Sequence, residues 1–316
     1  MPFRSDTKLT EVLSRGTFTF SAEIIPPQNG TEQNKVLNQV NTLILHGAQF
    51  LAVTKGAGGS LRGGSLPIAQ AIKENFQVPC IAHFTCRDLV PAEIENQLID
   101  HHYFGIRNIL ALRGDPPDGQ PEWKAREGGY NYAHQLISQI HNLNQGIYLT
   151  RPGGLTPSHQ EATDFCIGAA AYPEHPDPKE RIEFFRLKVE KGAHFGMTDM
   201  IFDAEAYARF RDQCYQAGAR VPILPGTRIL KSQAQARRMA AKFRVSIPKE
   251  IMNALPEEDS PDPSASSVAS SIENRVEILV RLVERLRALG APGIHLYVIA
   301  DTLGASAALK SLKLVP

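Results

Sequence analysis

The sequence has no apolar run near the roughly 20 residues that a bilayer-crossing helix needs, so no membrane span is expected. The opening MPFRSDTKLTEVLSRG lacks an apolar h-region, which argues against a secretory signal and for a cytoplasmic location. An excess of one charge is missing too. Lys and Arg number 34 against 33 Asp and Glu, for a net charge of +1. Without a basic stripe or a polybasic anchor, neither nucleic acid nor a membrane surface is an expected partner. Cysteine is scarce: Cys80, Cys86, Cys166 and Cys214 are the four present. Their spacing fits neither a zinc motif nor a CxxC pair, so reduced and mostly buried thiols are expected. No carboxylate–His cluster has ligand spacing, and His101-His102 falls on a predicted helix away from the expected site. No metal is expected. The glycine-rich GAGGSLRGG (56–64) lacks the Lys-Ser/Thr ending of a P-loop and the GxGxxG spacing. It reads as a loop whose amides touch a ligand.

What is present is an alternation. The chain has 316 residues, 42% of them hydrophobic, enough for one large domain or two ordinary ones. Strand patterns occupy 17–25, 50–54, 80–85, 108–112, 165–171, 195–202, 221–224 and 294–299. Helical patterns fill the gaps, at 32–45, up to about 76, 91–103, 130–143, 178–191, 204–217, 232–243 and 272–289, with a last short helix at 306–313. Eight strands alternating with helices predict parallel βαβ units, and right-handed crossovers closing on themselves give a (β/α)8 barrel. A doubly wound open sheet is the alternative, because periodicity does not prove closure. One domain over 1–316 is expected, ending with the last barrel helix and carrying no regulatory domain after it. Two stretches interrupt the rhythm. Residues 144–164 read as an extended loop. Residues 247–270 read as a partly helical excursion with a mobile tip near 257–267.

In a parallel barrel the active site lies at the carboxyl ends of the strands. There the sequence places Glu23, Thr54, His83, Arg113-Gly114-Asp115, Tyr172 with His175 shortly after, Asp199, and Pro225-Gly226. Ionisable groups therefore gather at one rim. The stretch ILALRGDPP (109–117) shows why that is unusual. A strand buried on both faces is apolar throughout, yet this one ends in a cation, a glycine and an anion held by prolines. Gly114 would let backbone approach a flat ligand, Pro116 would hold Asp115 extended, and Arg113 would offer a planar fork to an anion. An ordinary loop with a salt bridge is the other reading. Glu23 stands among Phe20, Ala22, Ile24 and Ile25, where burial raises a carboxyl toward the range of a general acid. An inward carboxylate paired to a cation fits the same residues, and His83 also reads as a satisfied core histidine.

Taken together, these pieces resemble the methylenetetrahydrofolate reductase family. The matching stretches are FSAEIIPP (20–27), VTKGAGGS (53–60), AHFTC (82–86), GIRNILALRGDPP (105–117), AAAYPEHP (169–176), LKVEKGA (187–193), TDMIFD (198–203), YARFRDQC (207–214) and PILPGTRILKSQAQARR (222–238). The resemblance implies a (β/α)8 barrel with FAD at its mouth, NADH or NADPH as hydride donor, and a reduced folate as substrate. Hydride would pass to the flavin and then to 5,10-methylenetetrahydrofolate, giving 5-methyltetrahydrofolate by a ping-pong course. By position, Glu23 matches the general acid and Asp115 the carboxylate between flavin and pterin. Thr54, Ala57, His83, Arg113, Gly114, Asp115, Tyr132, Ala133, Tyr172, His175 and Lys188 match cofactor-binding positions, with Lys188 at the pyrophosphate. Glu23, Asp115, Asp199 and Gln235 match substrate-binding positions.

The chain departs from the family pattern at five of these places. Lys55 stands where the family usually has Tyr, Arg181 where it has Asp, Asp199 where it has Gln, Met239 where it has an aromatic lid residue, and Asp301 where a basic residue is often found. The expectation is a divergent member. Two alternatives remain open: a related barrel acting on a folate without tightly bound flavin, and a non-catalytic folate- or flavin-binding paralogue. The outer helices leave room for a homo-oligomer.

Overall fold

The computed structural model describes residues 3–27, 30–57, 63–116, 124–150, 160–258, 265–299 and 301–313, with side chains for all of them except 265–271 and 313. Eight strands run through these residues: β1 Thr19–Ile24, β2 Phe50–Val53, β3 Cys80–Thr85, β4 Asn108–Leu112, β5 Cys166–Ala171, β6 Phe195–Met200, β7 Ile223–Thr227 and β8 Gly293–Leu296. Each pairs in parallel with the next, and β8 returns to β1 through Thr19↔Gly293 and Ser21↔His295. The sheet is a closed barrel, so the open doubly wound sheet is excluded and the (β/α)8 expectation holds.

Helices cover the outside. They are α1 Leu9–Ser14, α2 Gln33–Leu45, α3 Ser65–Ala71 with a π-helical turn at Ile72–Phe76, α4 Pro91–Tyr103, α5 Ala133–Asn144, α6 Pro178–Glu190, α7 Ala204–Gln216, α8 Gln233–Phe243, α9 Lys249–Ala254, α10 Ala265–Ala288 and α11 Thr302–Lys313. Local chemistry sets their starts. The Asp177 carboxylate accepts from Lys179 N at 2.8 Å and Glu180 N at 3.2 Å, and Pro178 opens α6. Asp203 does the same for α7 through Glu205 N at 2.9 Å and Ala206 N at 3.1 Å. At α4, Pro91 occupies the first turn and Glu93 reaches back to Val90 N at 2.9 Å.

Two apolar layers result. The outer one lies between strands and helices and includes Ile24, Val53, Phe84, Ile109 and Ile167. The inner one fills the barrel with Phe50, Ala52, Ile81, Leu110, Phe195, Met197 and Leu224. Leu9, Val12 and Leu13 of α1 join the inner layer and close the barrel at the amino-terminal ends of its strands. A buried polar latch fixes them. Leu9 N donates to Asn108 Oδ1 at 2.6 Å, and Asp6 Oδ2 accepts from Cys80 N at 3.0 Å and Asn108 Nδ2 at 3.1 Å.

Some boundaries differ from the sequence reading. The plug helix α1 was not expected, because six residues are too few for a legible period. β7 begins at Ile223 and runs to Thr227, since Gly226 and Thr227 pair with His295 and Leu296 of β8. The strand end therefore carries Arg228 rather than Pro225-Gly226. The last helix begins at Thr302, earlier than expected. All four cysteines are free and buried, as their spacing suggested. Part of the glycine-rich loop (58–62), Pro117, the middle of the 144–164 loop and most of the expected mobile tip lie outside the described residues. Among the described residues no helix is long and apolar enough to cross a membrane.

Candidate active site at the barrel mouth

Every second strand residue points into the barrel. On β1 this sends Thr19, Ser21 and Glu23 inward, with Glu23 uppermost and 6% exposed. Burial pushes its carboxyl up to about 8, and the Arg228 guanidinium pulls against that rise. The carboxyl therefore keeps its proton at neutral pH, as a general acid requires.

Asp199, inward on β6, behaves similarly. Burial first, then the charge of Glu174, pushes it up to about 8. Its Oδ1 is buried without a hydrogen-bond partner among the described residues. Two phenols lie near these acids, Tyr297 by both and Tyr172 by Asp199. The Tyr297 hydroxyl donates to the Thr198 carbonyl at 2.6 Å, and burial, Glu23, Asp199 and Tyr172 all raise it. The Tyr172 ring is 45% exposed; its hydroxyl is pushed up to about 12 by burial, Asp199 and Asp115. Glu23 and Asp115 thus act on the same end of the barrel, connected through Tyr297, Asp199 and Tyr172.

Deeper in, His83 of β3 and His295 of β8 are buried, and their Nε2 atoms have no partner among the described residues. Burial lowers His83 to about 4 and His295 to about 3, so both are neutral. Ser21 Oγ lies 2.9 Å from His295 Nδ1, whereas His83 Nε2 points at nothing among the described residues. Thr54, just past β2, likewise has a buried Oγ1 without a partner, while its carbonyl accepts from Ser65 Oγ at 2.6 Å.

The loop after β4 is held by the loop after β3. Arg87 N donates to the Arg113 carbonyl at 3.0 Å, and Arg87 Nη1 to the Asp115 carbonyl at 2.6 Å. Gly114 has φ +97°, and a Cβ there would lie 2.8 Å from Arg87 Cβ. That backbone and that contact account for the glycine, where the sequence suggested a close ligand. Arg113 and Asp115 stand exposed at the rim. Ala57 lies in the loop beyond β2.

Lys188 reaches in from α6. It is 9% exposed, and its Nζ donates to the Ala170 carbonyl at 2.8 Å and lies 5.2 Å from the Tyr172 ring centre. Burial, then Arg113, lowers it to about 8. Tyr132 is exposed and stacks on His134 with 5.4 Å between ring centres, and Ala133 starts α5. The His175 carbonyl accepts from Arg181 Nε at 3.1 Å and Nη2 at 2.7 Å. Arg181 is thus tied to the loop after β5.

Three other sequence-derived positions turn away from the mouth or serve the scaffold. Lys55 Nζ donates to Gln97 Oε1 on α4 at 2.8 Å and lies 4.0 Å from the Phe84 ring centre, in the outer layer. Gln235 Oε1 accepts from Lys231 N at 2.8 Å, which caps the start of α8. Met239 is 5% exposed and packs in the outer core.

Arg228 and Tyr297 were missed by sequence reasoning. Arg228 is 8% exposed, its buried Nε has no partner among the described residues, and the charges of Asp301 and Glu23 both act on it. Asp301 also accepts from Gly304 N at 3.1 Å and pairs with Lys231 at 3.7 Å. The signal for both was the period of two, carried past the predicted end of β7 and along LYV at the end of β8.

Comparison with known proteins identifies the family and the fold. The sequence matches the family profile described as methylenetetrahydrofolate reductase over residues 8–313. The chain belongs to that family. It is 32% identical over 240 residues to the 5,10-methylenetetrahydrofolate reductase of Escherichia coli K12, covering 74% of this chain and 72% of that one. It is 27% identical over 308 residues to the methylenetetrahydrofolate reductase (NADH) 1 of Zea mays, covering 98% of this chain and 50% of the relative. The chain spans about half the length of the plant relatives it matches. Among solved structures, a Clostridium thermocellum protein that binds two copies of 5-methyl-5,6,7,8-tetrahydrofolic acid covers 98% of the chain with a TM-score of 0.58 and 17% identity, a likeness of fold.

Proposed function

We propose that this chain reduces 5,10-methylenetetrahydrofolate to 5-methyltetrahydrofolate, with FAD at the barrel mouth and NADH or NADPH as reductant. The observation that carries the reading is Glu23: a buried carboxyl at the carboxyl ends of the strands, raised to about 8, in a chain of this family. A buried acid that keeps its proton at pH 7 has a use in protonating a leaving nitrogen. Pure binding gives it none.

Residues at the mouth are of the kinds that would hold a flavin. Thr54 Oγ1 and His83 Nε2 are buried polar atoms with no partner among the described residues, and an unpaired buried polar atom is costly. A heterocycle with its own donors and acceptors would pair them. Lys188 and Arg113 supply positive charge for a phosphate, and Tyr172 offers a ring face. When bound, the flavin supplies hydride transfer, the part of the chemistry that no side chain provides.

The chain's own residues do the rest. Glu23 would give its proton to N10 of the folate, which opens the five-membered ring and leaves an electrophilic iminium at N5. Arg228 limits how far the Glu23 carboxyl rises, so that it remains able to part with the proton. Asp115 and Asp199, both acting on Tyr172, would orient the pterin.

The test is the absorption spectrum of the purified protein, read before and after NADH and then after the folate. Expected are flavin bands that bleach with NADH and return with 5,10-methylenetetrahydrofolate. A colourless protein that turns over the folate would point to a flavin-free route. A protein that binds neither flavin nor folate would overturn the reading.

A further inference from the structure

The loop after β3 grips the loop after β4 beyond the end of their strand pairing. The register closes at Thr85↔Leu112, yet the contact continues. Cys86 N donates to the Leu112 carbonyl at 3.1 Å, and Arg87 N to the Arg113 carbonyl at 3.0 Å. Cys86 Sγ lies 3.5 Å from the same Arg113 carbonyl and 3.8 Å from the Tyr130 carbonyl, where the chain returns toward α5. The Arg87 side chain, 8% exposed, then makes two further bonds. Its Nη1 donates to the Asp115 carbonyl at 2.6 Å, and its Nε donates to Asp88 Oδ2 at 2.7 Å. Asp88 has left-handed backbone, φ +63°. The main chain of Asp115 is thereby set by protein contacts alone. Gly114 before it has φ +97° and no room for a Cβ, Arg87 holds its carbonyl, and Pro116 after it favours extended backbone.

We infer that Arg87 is a positioning residue for the proposed reduction: oriented by Asp88, its guanidinium fixes the main chain of Asp115 and so places the carboxylate that works at the mouth. A planar guanidinium serves a carboxylate and a carbonyl at once in fixed geometry. Such placement matters because a displacement of about 1 Å costs on the order of 100-fold in rate. Arg87 lies outside the stretches that carry the family resemblance, and it acts through Asp115. The inference rests on the proposed function and adds to it a residue one step removed from the chemistry.

Two measurements test this, both on the purified full chain. Arg87→Leu removes the guanidinium and keeps the main-chain bond to Arg113 and the bulk against Gly114. The first measurement is tryptic cleavage between Arg113 and Gly114, followed by mass spectrometry, which reports how often the loop opens. Expected is cleavage at least about tenfold faster in Arg87→Leu, with cleavage after the exposed Arg209 of α7 unchanged. Equal acceleration at both sites, or none at Arg113, would overturn the inference.

The second is a double-mutant cycle with Asp115→Asn, read as reoxidation of the reduced flavin by 5,10-methylenetetrahydrofolate. Expected in Arg87→Leu is a loss of about 10- to 100-fold with flavin absorption retained. In the Asp115→Asn background the same change should cost under about twofold, because the group it places is already altered. Losses that simply add would assign Arg87 to the scaffold and overturn the inference. Should Arg87→Leu fail to fold, Asp88→Gly replaces it. That variant suits the positive φ and removes the carboxylate that orients Arg87. It should show the same non-additivity at smaller size, and additive losses or none would overturn the inference. A parent chain that reduces folate beside an indifferent Arg87→Leu overturns this inference alone. A parent chain that binds neither flavin nor folate overturns the proposed function with it.

Discussion

Arg228 is the cation that acts on Glu23, and it opposes the burial that holds this carboxyl near 8. Asp301 also acts on Arg228. The two residues come from β1 and the end of β7. Their relation follows from barrel closure and sets how readily the acid gives up its proton.

Replacing Arg228 with Met removes the opposing charge and keeps the bulk of the side chain. The Glu23 carboxyl then rises further. The alkaline limb of the pH profile for folate reduction should move up by about one unit, a shift worth about 1.4 kcal/mol. Reduction of the flavin by NADH, followed by stopped-flow bleaching, should keep its pH profile. A folate limb that stays put would separate Arg228 from the acid.

Glu23→Gln removes the proton and leaves the shape. Flavin binding and its reduction by NADH should survive, while folate reduction should fall by about 100- to 10,000-fold, the range of general-acid contributions. The two half-reactions measured separately by stopped flow decide the point. Equal losses in both would contradict the assigned role.

Gly226 is needed for space. A Cβ there would lie 2.4 Å from the Tyr297 ring and 2.7 Å from the Thr198 carbonyl oxygen. The second atom is backbone and cannot swing away. Gly226→Ala should therefore cost about 1–3 kcal/mol in urea denaturation, the usual penalty of overpacking. Adding Tyr297→Ala should recover only part of it, because the Thr198 contact remains.

Asp6 predicts a pH dependence of stability. Burial raises its carboxyl from 3.8 to about 6, against hydrogen bonds from Cys80, Asn108 and Thr7 that favour the anion. The folded state thus holds this proton more tightly than the unfolded chain. Its contribution is fully present below about pH 4 and is lost as pH rises to about 6, an effect of about 3 kcal/mol in size. Asp6→Asn should remove that share. The difference in unfolding free energy between the two proteins should change between pH 4 and pH 7 and be flat above. A constant difference would mean that the latch around Asn108 accepts the anion without cost.

Much of this molecule was legible in the sequence. Eight apolar runs separated by amphipathic helices fixed the number and order of the strands, because burial on both faces is written locally in each run. The same alternation placed Glu23, His83, Arg113 and Asp199 at one rim, since strand ends and the period of two are local properties.

Other features were decided only by the tertiary structure. Closure of β8 onto β1 depends on twist and register accumulated around the whole sheet. It brings Arg228 and Tyr297 to Glu23, across separations that no local pattern records. Lys55 and Met239 stand at positions that the family resemblance singled out, yet packing turns Lys55 to Gln97 and buries Met239 in the outer core. The rise of the Asp199 carboxyl is written in neither a strand nor a motif: it comes from burial and from the charge of Glu174, and the energy of a charge is set by what surrounds it in space.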